Sequence, residues 1–372
     1  MKVLFHFVSG QLMPNYIASK IIQPDINVFL CTDEADKQYD KLVSYFDNPQ
    51  KEKVDAWDYD KIQLQLEKII NKYSDDTIIL NFTAGNKIMS LAGFNLFKNI
   101  QKQCYYINTE DNEYIKFDFV TNTIIKQALD IKCELKDILM LNAQKVEFSN
   151  FKIAQAHKQL IHLLENNESL SSKLLPIINK INLTKNFNKE IDNGKLKGSL
   201  FRCQNNSSFV KIVMDDVTLY EHQESGEFLI DLLFGKWFEY VCFEKLKRLN
   251  YFDNIEWGCN IKRKERSPND TYTDKNEIDI IGNRGIYYFI FECKAGNIKA
   301  EAVDKLVAIK ETYIGRYSSL FFISKYPLDK NNNAHKNVLE KINDNNIIRL
   351  IYKDLNDRER LLNYFNRRAN LR

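Results

Sequence analysis

Two short apolar segments in the last third of the sequence carry carboxylates beside a lysine. Asp279 stands between isoleucines in the segment EIDII, and Glu292 and Lys294 lie at the end of the run YYFIFECK. Residues two apart on a strand point to one face, so Glu292 and Lys294 share a face while Cys293 points the other way into apolar packing. Carboxylate oxygens bind Mg²⁺ or Mn²⁺, and a lysine can orient a water and offset transition-state charge. This combination predicts metal-dependent hydrolysis of a phosphodiester.

The same two segments resemble the catalytic hairpin of the PD-(D/E)XK nuclease superfamily. Asp279 matches the first acidic residue of the superfamily, and Glu292-Cys293-Lys294 matches its E-X-K triplet. The resemblance covers about residues 226–355. It implies a restriction-endonuclease-like α/β fold and cleavage of DNA, RNA or both.

The resemblance also implies a further acidic residue on an upstream helix, which is Glu239 in the segment GKWFEYVCFEKL. It assigns catalysis to Asp279, Glu292, Lys294 and Glu239. The metal ligands would be Asp279, Glu292 and Glu239, with any contact from Cys293 made by its backbone carbonyl. On the helix that follows, it offers Asp304, Lys305 and Lys310 as substrate contacts.

A surface hairpin with an ordinary Glu292–Lys294 ion pair is the alternative interpretation. Asp279 would then be a solvated strand residue, and its position between Ile278 and Ile280 argues against that. Basic residues that could guide a phosphate backbone are equally consistent with a solvated loop. They are Lys262, Arg263, Lys264, Arg266 and Arg284.

Polar residues follow two predicted strands near the N-terminus. Ser9, Gln11 and Asn15 follow the first, and Asn81, Thr83, Gly85, Asn86 and Lys87 follow another. The carboxyl ends of parallel strands are where open α/β sheets bind ligands, and a helix N-terminus beside a lysine favours an anion. The second loop lacks the spacings GxxxxGK and GxGxxG, which excludes a Walker-type site and disfavours dinucleotide binding.

The second loop resembles that of the CARF domain, the Rossmann-like sensor of type III CRISPR systems. Asn81, Thr83, Gly85, Lys87 and Met89 fit the pattern, whereas Ala84 and Asn86 depart from it; Thr32 and the first loop also fit. The resemblance covers about residues 1–140. It implies that a cyclic oligoadenylate, most often cyclic tetra-adenylate, binds across the two-fold interface of a homodimer. The alternative is a simple helix-starting loop with Thr83 or Asn86 as the cap.

Along the first 130 residues, short apolar runs typical of strands alternate with segments whose apolar residues recur at helical spacing. This order predicts βαβ units and a parallel sheet. The predicted class is therefore α/β, with a Rossmann-like sensor domain followed by a restriction-endonuclease-like domain. We expect a sensor domain at 1–140, a connector at 141–225 and a nuclease domain at 226–372. In the last of these a long helix is expected from about Phe228 to Leu249.

Composition limits the remaining function classes. The chain has 372 residues, a net charge of +3 and seven scattered cysteines without a CxxC pair. Reduced thiols and no long apolar stretch indicate a cytoplasmic protein without a membrane span. Because the chain is not strongly basic, a nucleic-acid role must depend on local clusters of charge.

Together these patterns predict a metal-dependent nuclease of CRISPR antiviral defence, activated allosterically by a cyclic oligoadenylate. Two alternatives stay open. The chain could be a restriction- or repair-type nuclease with another nucleotide effector, or an inactive ligand-sensing protein. The presence of Asp279, Glu292 and Lys294 together disfavours the inactive protein.

Overall fold

The computed structural model describes residues 1–109, 111–142, 145–149, 153–168, 170, 171, 174, 187–193, 196–202, 207–225, 228–262, 275–296, 298–314 and 317–369. The chain divides into two compact units. The first unit is Met1–Gln144 with Asn283–Tyr287 and Asn366–Arg372, and the second is Lys145–Gly282 with Tyr288–Phe365.

A seven-stranded sheet forms the first unit, in the order β3-β2-β1-β4-β5-β6-β7. Its strands are β1 (Lys2–Phe7), β2 (Ile26–Cys31), β3 (Pro49–Lys53), β4 (Thr77–Asn81), β5 (Gln103–Asn108), β6 (Glu113–Asp118) and β7 (Thr123–Ala128). The five strands β1 to β5 are parallel, while β6 and β7 form an antiparallel hairpin at one edge. The strand order reverses between β1 and β4, which creates a crevice at their carboxyl ends.

The helices of the first unit are α1 (Met13–Ile22), α2 (Asp36–Leu42), α3 (Tyr59–Ile70), α4 (Lys87–Asn99) and α5 (Leu135–Asn142). Helix α3 shows why these segments fold as they do: its apolar residues recur at helical spacing, and Asp58 caps it by accepting a hydrogen bond from Lys61 N at 3.0 Å. Its buried face, including Ile62 and Leu66, joins the core formed by β1, β2 and β4. These features confirm the predicted Rossmann-like sheet.

The second unit holds a four-stranded antiparallel sheet, ordered β12-β11-β10-β9. Its strands are β9 (Phe187–Asn193), β10 (Leu196–Arg202), β11 (Ser207–Met214) and β12 (Val217–Ser225), and the unit also contains β8 (Lys145–Phe148) and α6 (Gln155–Asn166). The predicted connector at 141–225 includes all of these elements.

A six-stranded mixed sheet completes the second unit, ordered β17-β16-β15-β14-β13-β8. Its further strands are β13 (Asn254–Lys262), β14 (Lys275–Arg284), β15 (Tyr287–Lys294), β16 (Ser318–Ser324) and β17 (Ile348–Ile351). The helices are α7 (Phe228–Asp231), α8 (Trp237–Lys247), α9 (Ala300–Ile309), α10 (Asn333–Asp344) and α11 (Arg358–Arg368). A second α/β sheet is therefore present, as expected.

The long helix expected from about Phe228 to Leu249 is interrupted. A π-helical turn occupies Leu232–Lys236, and inside it Gly235 adopts a φ of 154°, a conformation that a side chain disfavours. Apolar spacing continues through the break, which is why the sequence pattern predicted one helix. The interruption makes α8 a separate element that begins at Trp237.

In the described part of the chain, no helix is both long and apolar enough to cross a membrane.

Candidate functional site

A carboxylate cluster forms where β14 and β15 lie side by side; we use this name for Asp279, Glu292, Glu239 and Lys294. Asp279 accepts a hydrogen bond from the backbone N–H of Cys293 at 2.8 Å, which fixes its carboxylate against the neighbouring strand. The ammonium of Lys294 lies 2.5 Å from Glu292 Oε1 and 3.5 Å from Asp279 Oδ2. Asp279 is 4% exposed and Glu292 is 2% exposed. The solvated hairpin considered as an alternative is wrong, because both carboxylates are buried.

Glu239 joins this cluster from the first turn of α8. The indole N–H of Trp257 donates to Glu239 Oε2 at 3.3 Å. Burial, with the negative charge of Asp279 adding to it, raises the pKa of Glu239 well above its ordinary value. The helix break at Gly235 precedes this turn and sets where the carboxylate enters the site.

The carboxylate cluster holds more acidic side chains than basic ones. Burial and the charge of Asp279 raise the pKa of Glu292, while Lys294 opposes them. Burial would lower the pKa of Lys294, but Asp279 and Glu292 outweigh it and raise that pKa above its ordinary value. Lys294 therefore stays protonated at neutral pH, and three carboxylates share one close ammonium. A further cation would relieve their repulsion.

Cys293 has its thiol on the opposite side of β15. The side chain is 3% exposed and hydrogen-bonds to Cys242 of α8, and burial raises the pKa of the thiol well above its ordinary value. The thiol is thus part of the packing between α8 and the sheet, and the hydrogen bond of Cys293 to Asp279 comes from its backbone N–H. Six cysteines in the described residues, Cys293 included, are free thiols.

The predicted substrate contacts on α9 and in the basic run do not all lie near the carboxylate cluster. Lys305 on α9 is close enough to Glu292 for its charge to lower the pKa of that carboxyl. Asp304 instead pairs with Lys341 of α10 at 2.5 Å. Lys310 begins a π-helical turn that ends α9. Of the predicted basic run, Arg263, Lys264, Arg266 and the side chain of Lys262 lie outside the described residues, and Arg284 is exposed at the end of β14.

Ser324 is a site residue that the sequence patterns did not single out. It lies at the end of β16 in parallel register with Lys294, so both side chains point to the same face of the sheet. It is 0% exposed, and its hydroxyl has no hydrogen-bond partner among the described residues. In the sequence, the apolar run SSLFFIS predicts a strand that ends in this serine. The structure adds that this strand is parallel to β15.

The loops that follow β1 and β4 are tied together by buried amides. Asn81 donates to Asn15 Oδ1 at 3.1 Å, and Asn15 donates to the backbone carbonyl of Phe7 at 3.0 Å. Both asparagines are fully buried. Asn81 also lies 3.3 Å from His6 Nδ1 through its amide nitrogen, and burial lowers the pKa of His6 to about 4, so the imidazole stays neutral. Asn15 and Asn81 therefore hold the loops in position from inside.

Thr83 and Asn86 also use their side chains within the protein. The Thr83 hydroxyl donates to Asn81 Oδ1 and accepts from the backbone N–H of Ile107, both at 2.7 Å. Asn86 caps α4 by accepting from Met89 N at 2.9 Å, and it donates to the Ala56 carbonyl at 2.5 Å. The capping role considered for Asn86 is thus present in the structure.

Gly85 allows the loop to pass close to β1. Its φ is +91°, and a Cβ there would lie 2.9 Å from Cβ of Phe7. Any larger residue would therefore be strained and would push the loop off the strand.

The remaining predicted ligand residues are accessible. Gln11 and Lys87 are exposed, while Ser9 and Thr32 are partly buried. Ser9 accepts a long hydrogen bond from Gln11 N at 3.4 Å. Lys87 is the first residue of α4, beside the free backbone N–H groups of that helix. These side chains lie at the strand ends that border the β1–β4 crevice.

The matching family model decides what this arrangement is. Residues 3–138 match the Card1 CARF domain. The predicted resemblance is confirmed for the N-terminal region, and the loops just described belong to a CARF domain.

Solved structures share the fold over nearly the whole chain. Can2 from Sulfobacillus thermosulfidooxidans, in complex with cyclic tetra-adenylate, superposes with a TM-score of 0.66 at 16% identity, covering 94% of this chain and 95% of that one. Protein VC1899 from Vibrio cholerae gives a TM-score of 0.72 at 13% identity, over 99% and 98% of the two chains. A type III CRISPR defence DNA nuclease activated by cyclic oligoadenylate gives 0.51 at 13% identity, over 87% of this chain and 45% of that chain. No curated protein matches the sequence.

Proposed function

We propose that this protein is a metal-dependent nuclease that cyclic oligoadenylate switches on in type III CRISPR defence. The observation that carries the proposal is the buried contact of Lys294 with both Glu292, at 2.5 Å, and Asp279, at 3.5 Å. Buried ionised groups are costly and persist where chemistry uses them. The arrangement is the one that the PD-(D/E)XK resemblance implies.

The donor set suits Mn²⁺ or Mg²⁺. Asp279, Glu292 and Glu239 supply hard carboxylate oxygens. Burial, with the negative charge of Asp279 adding to it, raises the pKa of both glutamates, and a dication would offset that charge. When bound, such an ion supplies charge neutralisation and an activated water. The Cys293 N–H keeps the Asp279 carboxylate oriented for this task.

Lys294 acts as a fixed positive charge in this proposal. Asp279 and Glu292 raise its pKa, so the side chain carries a positive charge beside the two carboxylates. Its ammonium would orient the attacking water and stabilise the negative charge that develops on the phosphate. Lys305 would add a second positive charge on the side of Glu292.

The activator in this proposal is cyclic tetra-adenylate, held by the CARF domain. The match to the CARF family and the ligand named for the Can2 structure support this choice. Lys87 and the N-terminus of α4 offer charge and N–H groups to a phosphate, and Ser9, Gln11 and Thr32 offer polar contacts. A symmetric ligand requires a symmetric pocket, so we infer a two-fold homodimer.

Activation follows from differential binding. The ligand can favour the cleaving state only by binding that state more tightly than the resting state. Cleavage should therefore be weak without ligand and should rise with ligand concentration to a plateau.

A cleavage assay tests the proposal directly. Purified protein with Mn²⁺ or Mg²⁺ is given single- and double-stranded DNA and RNA, with and without cyclic tetra-adenylate. We expect cutting only when both metal and ligand are present. No cutting of any substrate would contradict the nuclease function, whereas equal cutting with and without ligand would contradict the sensor function alone.

A further inference from the structure

Two histidines and a glutamate meet in the second unit at a place that the proposed nuclease function does not use. His157 lies on α6, while His222 and Glu224 lie two residues apart on β12 and so share one face of that strand. We call these three residues the histidine cluster. The carboxylate cluster is formed by other elements, namely β14, β15 and α8.

The three side chains direct ligand atoms toward one point. His157 Nε2 is 2.7 Å from Glu224 Oε2, and His222 Nε2 is 3.8 Å from the same oxygen. One ligand atom from each residue lies within 4.8 Å of the other two. Ligand atoms around a tetrahedral Zn²⁺ stand about 3.4 Å apart, given metal–ligand distances near 2.1 Å. Small side-chain rotations would therefore bring all three atoms to bonding distance.

The surroundings hold the glutamate ready for this role. The second oxygen of Glu224, Oε1, accepts a hydrogen bond from Leu229 N at 2.7 Å, which leaves Oε2 directed at the histidines. Such an outer contact is the usual means of orienting a ligating carboxylate. His157 is buried at the inner side of the cluster, whereas the His222 side chain is 32% exposed, so an ion has a route in from solvent.

The ring proton of His157 lies on the nitrogen to which an ion would bind. His157 Nδ1 accepts from Ala154 N at 3.3 Å, which puts the ring proton on Nε2, facing Glu224. An ion bound at Nε2 displaces that proton, and the ring then carries its proton on Nδ1. The bond from Ala154 is lost, and the first turn of α6 must adjust. The ring stays neutral, because its proton moves from Nε2 to Nδ1 by exchange with water. Metal binding at this site is therefore coupled to a tautomer change and to the start of a helix.

We propose that His157, His222 and Glu224 form a binding site for a transition-metal ion, with Zn²⁺ the best fit. Two imidazoles and one carboxylate suit Zn²⁺, whereas the all-oxygen carboxylate cluster suits Mg²⁺ or Mn²⁺. Three protein ligands leave a fourth position for water. The ion would link α6 to β12.

Metal analysis of the full-length protein tests this inference. Tag-free protein is stripped with chelator, dialysed against Zn²⁺ and washed, and bound zinc is measured per chain. We expect one zinc per chain in the wild type and in Glu292→Gln, which disables the carboxylate cluster. His222→Ala and Glu224→Gln should each lower bound zinc at least tenfold.

His162→Ala is the matched control, because His162 lies on the same helix α6 but is exposed and outside the cluster. It should retain one zinc per chain. Zinc content that is no higher in the wild type than in His222→Ala, or equal loss in His162→Ala, would overturn the proposal. Circular dichroism establishes that each variant is folded, and a folded Glu224→Gln decides the matter if His222→Ala does not fold.

The change at His157 and at the start of α6 gives a second measurement, which zinc binding elsewhere on the surface would not affect. Zinc should move the ring proton of His157 from Nε2 to Nδ1, a tautomer change that the NMR chemical shifts of the ring nitrogens report. It should also raise the melting temperature of the wild type and of His162→Ala, but not that of His222→Ala. Zinc binding that leaves the His157 proton on Nε2 would contradict a site that uses that nitrogen.

Discussion

The carboxylate cluster and the CARF loops both lie at strand ends, yet they use buried polar side chains in opposite ways. In the loops, Asn15, Asn81 and Thr83 hydrogen-bond one another, so each buried donor finds an acceptor within the protein. In the carboxylate cluster, Asp279 and Glu292 repel each other, and Lys294 compensates only part of the charge. Amides can satisfy themselves, whereas like charges need an outside partner.

The buried polar side chains of the two regions therefore have different roles. The buried amides set the shape of the CARF loops, and in the proposed function ligand contact falls to exposed residues such as Gln11 and Lys87. In the same proposal the buried carboxylates are themselves the reactive groups. A change at Asn81 should therefore act through folding, while a change at Glu292 should act on the reaction.

The largest expected effect is that of Glu292→Gln. The change keeps the shape of the side chain but removes the charge that would hold the metal, so we expect ligand-activated cleavage to fall roughly 10³-fold or more. Affinity for cyclic tetra-adenylate, measured by calorimetry, should stay unchanged. Glu301→Gln, an exposed site on α9, is the control and should cleave like the wild type. Weakened ligand binding in Glu292→Gln would contradict the division into sensor and reactive site.

Lys294→Met should lower cleavage by about 10²- to 10³-fold, because a charge that stabilises the transition state is lost. It should also change the pH profile. Lys294 lowers the pKa of Glu292, so its removal raises that pKa further. Metal binding requires the ionised carboxylate, and the acidic limb of the rate profile should therefore move to higher pH. A limb that moves to lower pH would show that Lys294 has another role.

Asn81→Ala and Lys87→Ala compare the two kinds of residue within the CARF loops. Asn81→Ala removes the hydrogen bonds of a buried amide and should lower the free energy of unfolding by about 1–3 kcal/mol. Lys87→Ala should leave stability nearly unchanged and raise the ligand concentration for half-activation by about tenfold, the effect of one charge-assisted contact. Denaturant melts and activation curves measure both. A stable Asn81→Ala protein would contradict the architectural role.

The sequence predicted the cluster of Asp279, Glu292 and Lys294 better than it predicted the elements around it. Asp279, Glu292 and Lys294 stand out because charged residues interrupt apolar strands, a local pattern that needs no knowledge of the fold. Strand β3 was missed because its sequence PQKEK has no apolar alternation; it is a polar edge strand. The break at Gly235 was also missed, since apolar spacing continues across it.

Other features depend on partners that are distant in sequence. The pairing of β8 with β13 joins segments more than a hundred residues apart, and no local pattern records it. The inward orientation of Asn15 and Asn81 likewise depends on two loops meeting at the β1–β4 crevice. A polar residue after a strand predicts a ligand contact, which stays a prediction here. The structure adds that Asn15 and Asn81 hydrogen-bond within the protein.

Ser324 combines the properties of the two regions, and Ser324→Ala has the smallest expected effect. Like the amides, its hydroxyl is fully buried; like the carboxylates, it is not fully compensated within the protein, because none of the residues that the structure describes hydrogen-bonds to it. Removing an unpaired hydroxyl should change the free energy of unfolding by no more than about 0.5 kcal/mol. If the hydroxyl orients a water or phosphate oxygen beside Lys294, cleavage should fall about tenfold, the worth of one positioned hydrogen bond. Ser324→Thr keeps the hydroxyl and should retain more activity than Ser324→Ala. Full activity in Ser324→Ala would place the residue with the packing of β16, leaving Lys294 as the sole positioning group on that face.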